Sequence, residues 1–282
     1  MKKHYGKCAL CGKECELTFE HIPPKSAFND YPAKVVSGGA ILENKDKMPW
    51  ELKGLPYTNQ QKGSGKYSIC KECNNNTGSW YGDAYCQFAY SIFAAISRPI
   101  PSEANAVVIK DIYPLKVIKQ VLSMFCSINP RAKDYDPLRK FVIEKETVGL
   151  DKSQYKVFMY FTKSKLVKLG SLSVAIIKSE NNSFVNVPFC EITVPPLGFV
   201  LFLTPPKKIN FPGIDITGFS DCQYDEICDI TCRLCILEMN DIYPLHYRSK
   251  EDIRESFKEV ELQNKEKIYS NHENGVKDEK RE

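Results

Sequence analysis

Two cysteine pairs near the start of the chain have the spacing of metal-ligating residues. Two residues separate Cys8 from Cys11, and two separate Cys70 from Cys73. Four thiolates in two such pairs can close a tetrahedral zinc site. We therefore predict a structural Zn²⁺ bound by these four cysteines, which would stabilise a segment with little apolar core of its own.

A carboxylate and an imidazole stand side by side between the two pairs. Glu20 and His21 end a predicted strand that stops at Pro23. Neighbouring strand residues point to opposite faces unless a twist or bulge redirects one of them. Asn74 directly follows the second cysteine pair. A Glu-His pair alone carries little information, but this setting makes all three residues candidates for a site.

The order of these motifs resembles that of the HNH endonuclease family. It runs Cys-x-x-Cys, then Glu-His-Ile-x-Pro-x-Ser, then Cys-x-x-Cys-Asn-x-x-x-Gly, over roughly residues 5–85. The resemblance implies a ββα-metal fold on a treble-clef zinc frame. It also implies that Glu20 and Asn74 ligate a catalytic divalent cation such as Mg²⁺, with His21 as the general base that activates water. Such a cation binds few protein ligands and keeps several waters.

Two lysines near the motif are further candidate site residues, and the sequence differs from the family pattern in three respects. Lys25 and Lys66 are close to the motif in sequence, and we expect them to contact nucleic-acid phosphates. Glutamate replaces the more usual aspartate at position 20, and 53 positions separate His21 from the last ligand, which is a long gap for the family. The family's middle asparagine, which orients the histidine, falls here on Gly65. The candidates to replace it are Asn59, Asn75 and Asn76.

The charge distribution is compatible with a nucleic-acid partner. The net charge is +4, and residues 1–80 carry all of it, with 12 lysines against eight acidic residues. This excess is modest, so a solvated basic face explains it equally well. No apolar run is long enough to span a membrane, and no secretion signal is visible at the N-terminus. Twelve cysteines without such a signal favour a reducing, cytoplasmic setting.

Apolar periodicity predicts the elements that position these residues. A long apolar helix is expected from Trp80 to Ile96, a second from Tyr113 to Ile128, and a short third at Asp136-Pro137. Ser249 and Asp252 have the spacing of a capping box. Five β-branched and aromatic runs are expected to form one antiparallel sheet: 155–162, 172–178, 184–194, 199–204 and 227–239. Cys228 and Cys232 fit the buried face of the last strand better than a second metal site.

These observations predict an α+β protein. An N-terminal zinc-stabilised ββα-metal (HNH) module with the long apolar helix would occupy residues 1–98. An α+β domain with an antiparallel sheet would occupy 99–262, and a charged, disordered tail 263–282. By this resemblance, the predicted function is metal-dependent endonucleolytic hydrolysis of nucleic acid, with DNA as the first expected substrate. A role in phage defence or restriction is expected by analogy with other HNH proteins. Further expected partners are a second copy of the chain or a defence-system protein. The alternative is a non-catalytic zinc-binding nucleic-acid adaptor.

Overall fold

The computed structural model describes residues 3–43, 47–98, 106–130, 133–178, 184–241 and 243–259. Helices and antiparallel sheets occur together, as the α+β prediction requires. The predicted tail at 263–282 lies outside the described residues. No helix in the described ranges combines the length and the apolar character that crossing a membrane requires.

A three-stranded antiparallel sheet carries the N-terminal motifs. Its strands are β1 (His4–Lys7), β2 (Glu14–His21) and β5 (Gly65–Cys70), with β2 in the centre. The first cysteine pair forms the tight turn between β1 and β2. Gly12 adopts a positive φ of 73° there, a conformation that glycine tolerates without a steric cost. The turn thus presents both sulfurs at one end of the sheet.

One helical stretch follows β5 without a break. It consists of α2 (Lys71–Thr77), a single π-helical turn (Gly78–Gly82) and α3 (Asp83–Ser97). The predicted long helix is therefore present, but it begins earlier, because the Cys70 sulfur accepts a hydrogen bond from the Cys73 amide and caps the first turn. Most of its apolar face is buried, through Tyr81, Tyr85, Phe88, Ala89, Ile92 and Ile96, whereas Phe93 is 46% exposed.

The segment between β2 and β5 holds only short elements. They are β3 (Ala33–Val35), α1 (Gly38–Leu42) and β4 (Thr58–Gln60), with β3 and β4 paired. Ser37 Oγ caps helix α1 by accepting a hydrogen bond from the amide of Ala40.

The remaining chain builds a second sheet around a buried helix. After β6 (Ala106–Ile112) come α4 (Pro114–Ile128) and α5 (Asp136–Ile143), both where the sequence predicts them. A five-stranded antiparallel sheet has the order β11-β7-β10-β9-β8. Its strands are β7 (Tyr155–Phe161), β8 (Lys168–Lys178), β9 (Phe184–Val194), β10 (Leu197–Leu203) and β11 (Ile214–Asp215). A helix at 250–259 closes the described chain, with Ser249 and Asp252 exchanging the expected capping bonds.

The last predicted strand does not join the five-stranded sheet as a strand. The run at 227–239 contains the strand β12 (Cys228–Arg233), which pairs with β6 in a separate two-stranded sheet. Only Ile236, further along this run, forms an isolated bridge to the five-stranded sheet, at Phe161 of β7. A single sequence cannot reveal this, because β6 lies far upstream. Cys232 is buried as predicted for a packing residue.

The zinc-motif region packs directly against the rest of the chain. A single buried apolar cluster contains residues of both predicted domains, from Cys8 to Cys232. The hydrogen bonds that join them include Arg139 Nε to Ala9 O at 2.8 Å, Tyr81 Oη to Val142 O at 2.7 Å, and Tyr224 Oη to Trp80 O at 2.9 Å. This common core fixes the N-terminal sheet relative to α4 and α5.

Candidate functional site

The four predicted zinc ligands come together in space. One sulfur from each of Cys8, Cys11, Cys70 and Cys73 lies within 4.8 Å of the others. The sulfurs of Cys11 and Cys70 are 3.9 Å apart. A tetrahedral zinc with Zn–S bonds of about 2.3 Å separates its sulfurs by about 3.8 Å. The donor set and the spacing both fit Zn²⁺, and no other group of three or more potential ligands occurs among the described residues.

Backbone amides support these sulfurs. The amide of Cys70 donates to Cys8 Sγ at 3.3 Å, and that of Cys73 to Cys70 Sγ at 3.4 Å. A hydrogen bond from the Cys73 thiol holds the pKa of Cys8 below that of a free thiol, which favours the thiolate form that binds a cation. Cys15 is outside the cluster, and its thiol contacts the carbonyl of Lys13 at 3.4 Å.

Glu20 is a buried acid without a protein partner. Only 6% of it is exposed, and its carboxyl makes no hydrogen bond or ion pair with any described residue. Burial alone raises its pKa to about 8. An ionised carboxylate in such surroundings is disfavoured unless a cation lies beside it, so this position is compatible with a cation ligand.

Asn74 is held with its amide in one orientation. Its Nδ2 donates to Thr18 Oγ1 at 2.9 Å and lies 3.4 Å from Phe19 O. The single proton of the Thr18 hydroxyl is used toward Ile69 O at 2.9 Å, so this hydroxyl accepts from Asn74. The Oδ1 of Asn74 therefore stays free among the described residues. Thr18 and Glu20 are two residues apart on β2, which places both side chains on the face that Asn74 contacts, although the pairing of β2 with β5 is irregular between Thr18 and Phe19.

His21 lies on the other side of that strand. Its ring packs edge-on against Phe19, with centroids 5.1 Å apart, and its Nε2 is 3.0 Å from Lys62 O. A carbonyl only accepts, so the neutral ring carries its proton on Nε2 and keeps a lone pair on Nδ1. Burial lowers the pKa of His21; the Lys62 carbonyl opposes this effect and the charge of Lys25 adds to it. The imidazole is therefore neutral near pH 7, as a base must be.

Gly65 is required where it stands. A Cβ at this position would lie 2.1 Å from Glu20 O, so an asparagine cannot replace it without displacing the strand. Asn29 braces this region instead, although no spacing in the sequence points to it. Its Nδ2 donates to Pro23 O at 2.7 Å and Ser64 O at 2.8 Å, and its Oδ1 accepts from the Ser64 amide at 2.7 Å. It ties the segment after His21 to the turn before β5.

The two predicted phosphate-binding lysines differ in their surroundings. Lys25 is close enough to His21 to influence its pKa. Lys66 instead directs its Nζ to Ile128 O, 3.4 Å away at the C-terminal end of α4, where a cation is favourable.

The structure thus brings the four cysteines together, places Asn74 beside the Glu20 face of β2, and leaves His21 at the end of that strand on the opposite face.

Comparison with protein-family models, with curated proteins and with solved structures gave no match for this chain.

Proposed function

We propose that the chain is a metal-dependent endonuclease that hydrolyses phosphodiester bonds in nucleic acid, as an HNH-like enzyme on a zinc-clamped sheet. One observation carries the proposal. The buried Glu20 carboxyl has no partner among the described residues and shares a strand face with Asn74, whose amide orientation leaves an oxygen free. These are two oxygen donors of the kind that a hard divalent cation prefers.

Each residue has a distinct role in this proposal. Glu20 and Asn74 supply oxygens for Mg²⁺ or Mn²⁺, which when bound would offset negative charge on the phosphate and the leaving oxygen. His21 takes a proton from the attacking water at Nδ1, while Lys62 O holds its ring through Nε2. Asn29 keeps the segments on both sides of His21 in place.

The opposite faces of Glu20 and His21 set a geometric requirement. The scissile phosphate must lie at the open end of β2, with one side toward Glu20 and the other toward His21. His21, the last residue of its strand, is only partly buried, whereas Glu20 beside it is buried. Lys25, which follows His21 closely, would assist by attracting the phosphate.

The separation of Glu20 from His21 also favours a second candidate. If the phosphate cannot reach both faces, the protein is a zinc-binding nucleic-acid adaptor that binds without cleaving. In that case the ring contact of His21 with Phe19 is a packing contact.

Plasmid cleavage separates the two candidates. Zinc-loaded protein is incubated with supercoiled plasmid in the presence of Mg²⁺ or Mn²⁺. Nicking by the wild type, with a loss of at least about 100-fold in His21→Ala and in Glu20→Gln, supports the endonuclease. His246→Ala is the control for His21→Ala, because His246 is held by Asp241 away from the zinc cluster. Binding without cleavage of plasmid or of a DNA single strand in either metal supports the adaptor. The same assay on RNA tests for ribonuclease activity.

A further inference from the structure

A row of aromatic rings crosses the N-terminal sheet and ends at His21. His4 and Tyr67 are stacked, with centroids 3.7 Å apart and planes inclined by 12°. Phe19 meets Tyr67 edge-on at 5.4 Å and meets His21 at 5.1 Å. Three strands contribute, since His4 is on β1, Phe19 and His21 on β2, and Tyr67 on β5. We call these four residues the aromatic row.

This row occupies the face of β2 that α2 does not cover. Helix α2 is anchored on the opposite face, where Asn74 bonds to Thr18. Tyr67 is 47% exposed, an unusual state for a ring in the middle of a row on a sheet. Large rings are normally buried for their apolar area, so this exposure suggests a surface that receives planar groups.

A basic groove lies next to the row. Its volume is about 900 Å³, and Tyr67 borders both features. Its lysines are Lys7, Lys133 and Lys140, and Arg139 lies at its wall. Lys7 and Lys133 form no ion pair with any residue in the described ranges. Two acidic residues, Glu14 and Asp136, also line the groove, and Asp136 is already paired with Arg139. The groove therefore carries a net positive charge.

We propose that the aromatic row and the basic groove bind single-stranded nucleic acid and lead it to His21. This proposal rests on the proposed nuclease function, because it assigns a substrate class to the same site. Unpaired bases expose faces that can stack on aromatic rings, whereas the bases of a duplex are already stacked on each other. Lysines along a groove bind the phosphates of such a strand. A base stacked on Phe19 or Tyr67 would place a neighbouring phosphate near the end of β2.

Binding is measured on the full-length, zinc-loaded protein without added Mg²⁺ or Mn²⁺. The probes are a fluorescein-labelled DNA single strand, the same sequence as RNA, and the corresponding DNA duplex. Tyr67→Leu removes the ring and keeps apolar bulk, whereas Tyr67→Phe keeps the ring. We expect Tyr67→Leu to weaken single-strand binding about tenfold or more, with Tyr67→Phe near the wild type and duplex binding changed less than twofold.

Tyr90→Leu is the matched control, because Tyr90 is also about half exposed, at 51%, but lies on α3 outside the row. Zinc content and melting temperature check folding. If Tyr67→Leu does not fold, His4→Ala, which removes the other member of the stacked pair, gives the same test. Unchanged single-strand affinity in a folded variant overturns the proposal, and so does an equal loss for duplex and single strand.

Further outcomes of these experiments distinguish DNA from RNA as the bound strand. They also distinguish the single-strand proposal from the endonuclease proposal. A tenfold preference between the DNA and the RNA strand identifies the natural one, and both are compatible with the aromatic row. Selective single-strand binding in a protein that never nicks nucleic acid would reject the endonuclease and retain the row. Nicking of duplex plasmid by a protein without selectivity for single strands would retain the endonuclease and reject single-strand binding by the aromatic row. Binding of a second copy of the chain instead of nucleic acid, seen as a Tyr67-dependent dimer, also overturns the proposal.

Discussion

The Nδ2 of Asn74 donates to the Oγ1 of Thr18 at 2.9 Å, and this bond determines which atom of Asn74 is free for a cation. The Thr18 hydroxyl donates to Ile69 O and can only accept from Asn74. The carboxamide oxygen is thereby turned away from Thr18. A threonine on β2 thus orients a side chain on α2 that lies more than fifty positions later in the chain.

Removing that bond should weaken cation binding without removing a ligand. In Thr18→Val the shape is kept and the acceptor is lost, so the Asn74 amide can rotate. We expect Mn²⁺ affinity, measured by electron paramagnetic resonance on zinc-loaded protein, to fall about three- to tenfold. Thr18→Ser retains the hydroxyl and should bind Mn²⁺ like the wild type. Equal affinities in all three proteins would show that Thr18 does not orient Asn74.

The cysteine cluster should account for one tightly bound zinc and for much of the stability. Cys73→Ser removes one thiolate from the four-sulfur set, so the purified protein should contain less than about half of the wild-type zinc and unfold at a clearly lower temperature. Cys15→Ser is the control, because Cys15 lies outside the cluster although it is close in sequence. Zinc is measured by elemental analysis. A full zinc complement in Cys73→Ser would contradict the assignment of this ligand.

Glu20 should destabilise the fold increasingly as the pH rises. Its pKa is about 8 in the folded protein, against about 4.3 in an unfolded chain. Between these values the folded state holds a proton that the unfolded state releases, so stability falls with rising pH. Glu20→Gln removes this loss. We expect the variant to gain about 1–3 kcal/mol over the wild type at pH 9 and little at pH 4.

The measurement for Glu20 is urea unfolding of zinc-loaded protein without added Mg²⁺. The control is Glu16→Gln, since Glu16 is an exposed carboxylate on the same strand, paired with Lys3. Added Mg²⁺ or Mn²⁺ should reduce the difference in unfolding free energy between Glu20→Gln and the wild type at pH 9. The cation would stabilise the ionised Glu20 of the wild type, and Gln has no such charge. A pH-independent difference between Glu20→Gln and the wild type would show that Glu20 has an ordinary pKa.

Lys25 should influence the titration of His21. Burial is the main cause of the lowered pKa of His21, and the Lys25 charge lowers it further. Lys25→Gln should therefore raise this pKa. The Cε1–H resonance of His21, identified by its absence in His21→Ala, reports the titration by nuclear magnetic resonance. Lys66→Gln is the control, because the Lys66 ammonium faces the end of α4. An equal change in both variants would indicate a general charge effect.

Part of this protein follows from local sequence alone. The spacing of Cys8, Cys11, Cys70 and Cys73 predicted a cluster that the structure contains, because short Cys-x-x-Cys turns position sulfurs by local geometry. Apolar periodicity predicted α4 and α5, and the capping box at Ser249 was confirmed. The assignment of Glu20, His21 and Asn74 as a catalytic set remains a prediction.

Tertiary structure decided the relations between residues that are distant in the chain. The pairing of β12 with β6 brings residues more than a hundred positions apart together, and no local pattern encodes that choice. The brace by Asn29, the contact of Lys66 with α4, and the aromatic row across three strands likewise depend on how the sheet packs. Sequence determines which groups are available and the local turns that hold them. Packing determines which groups meet, because burial of apolar surface selects one arrangement of strands and helices.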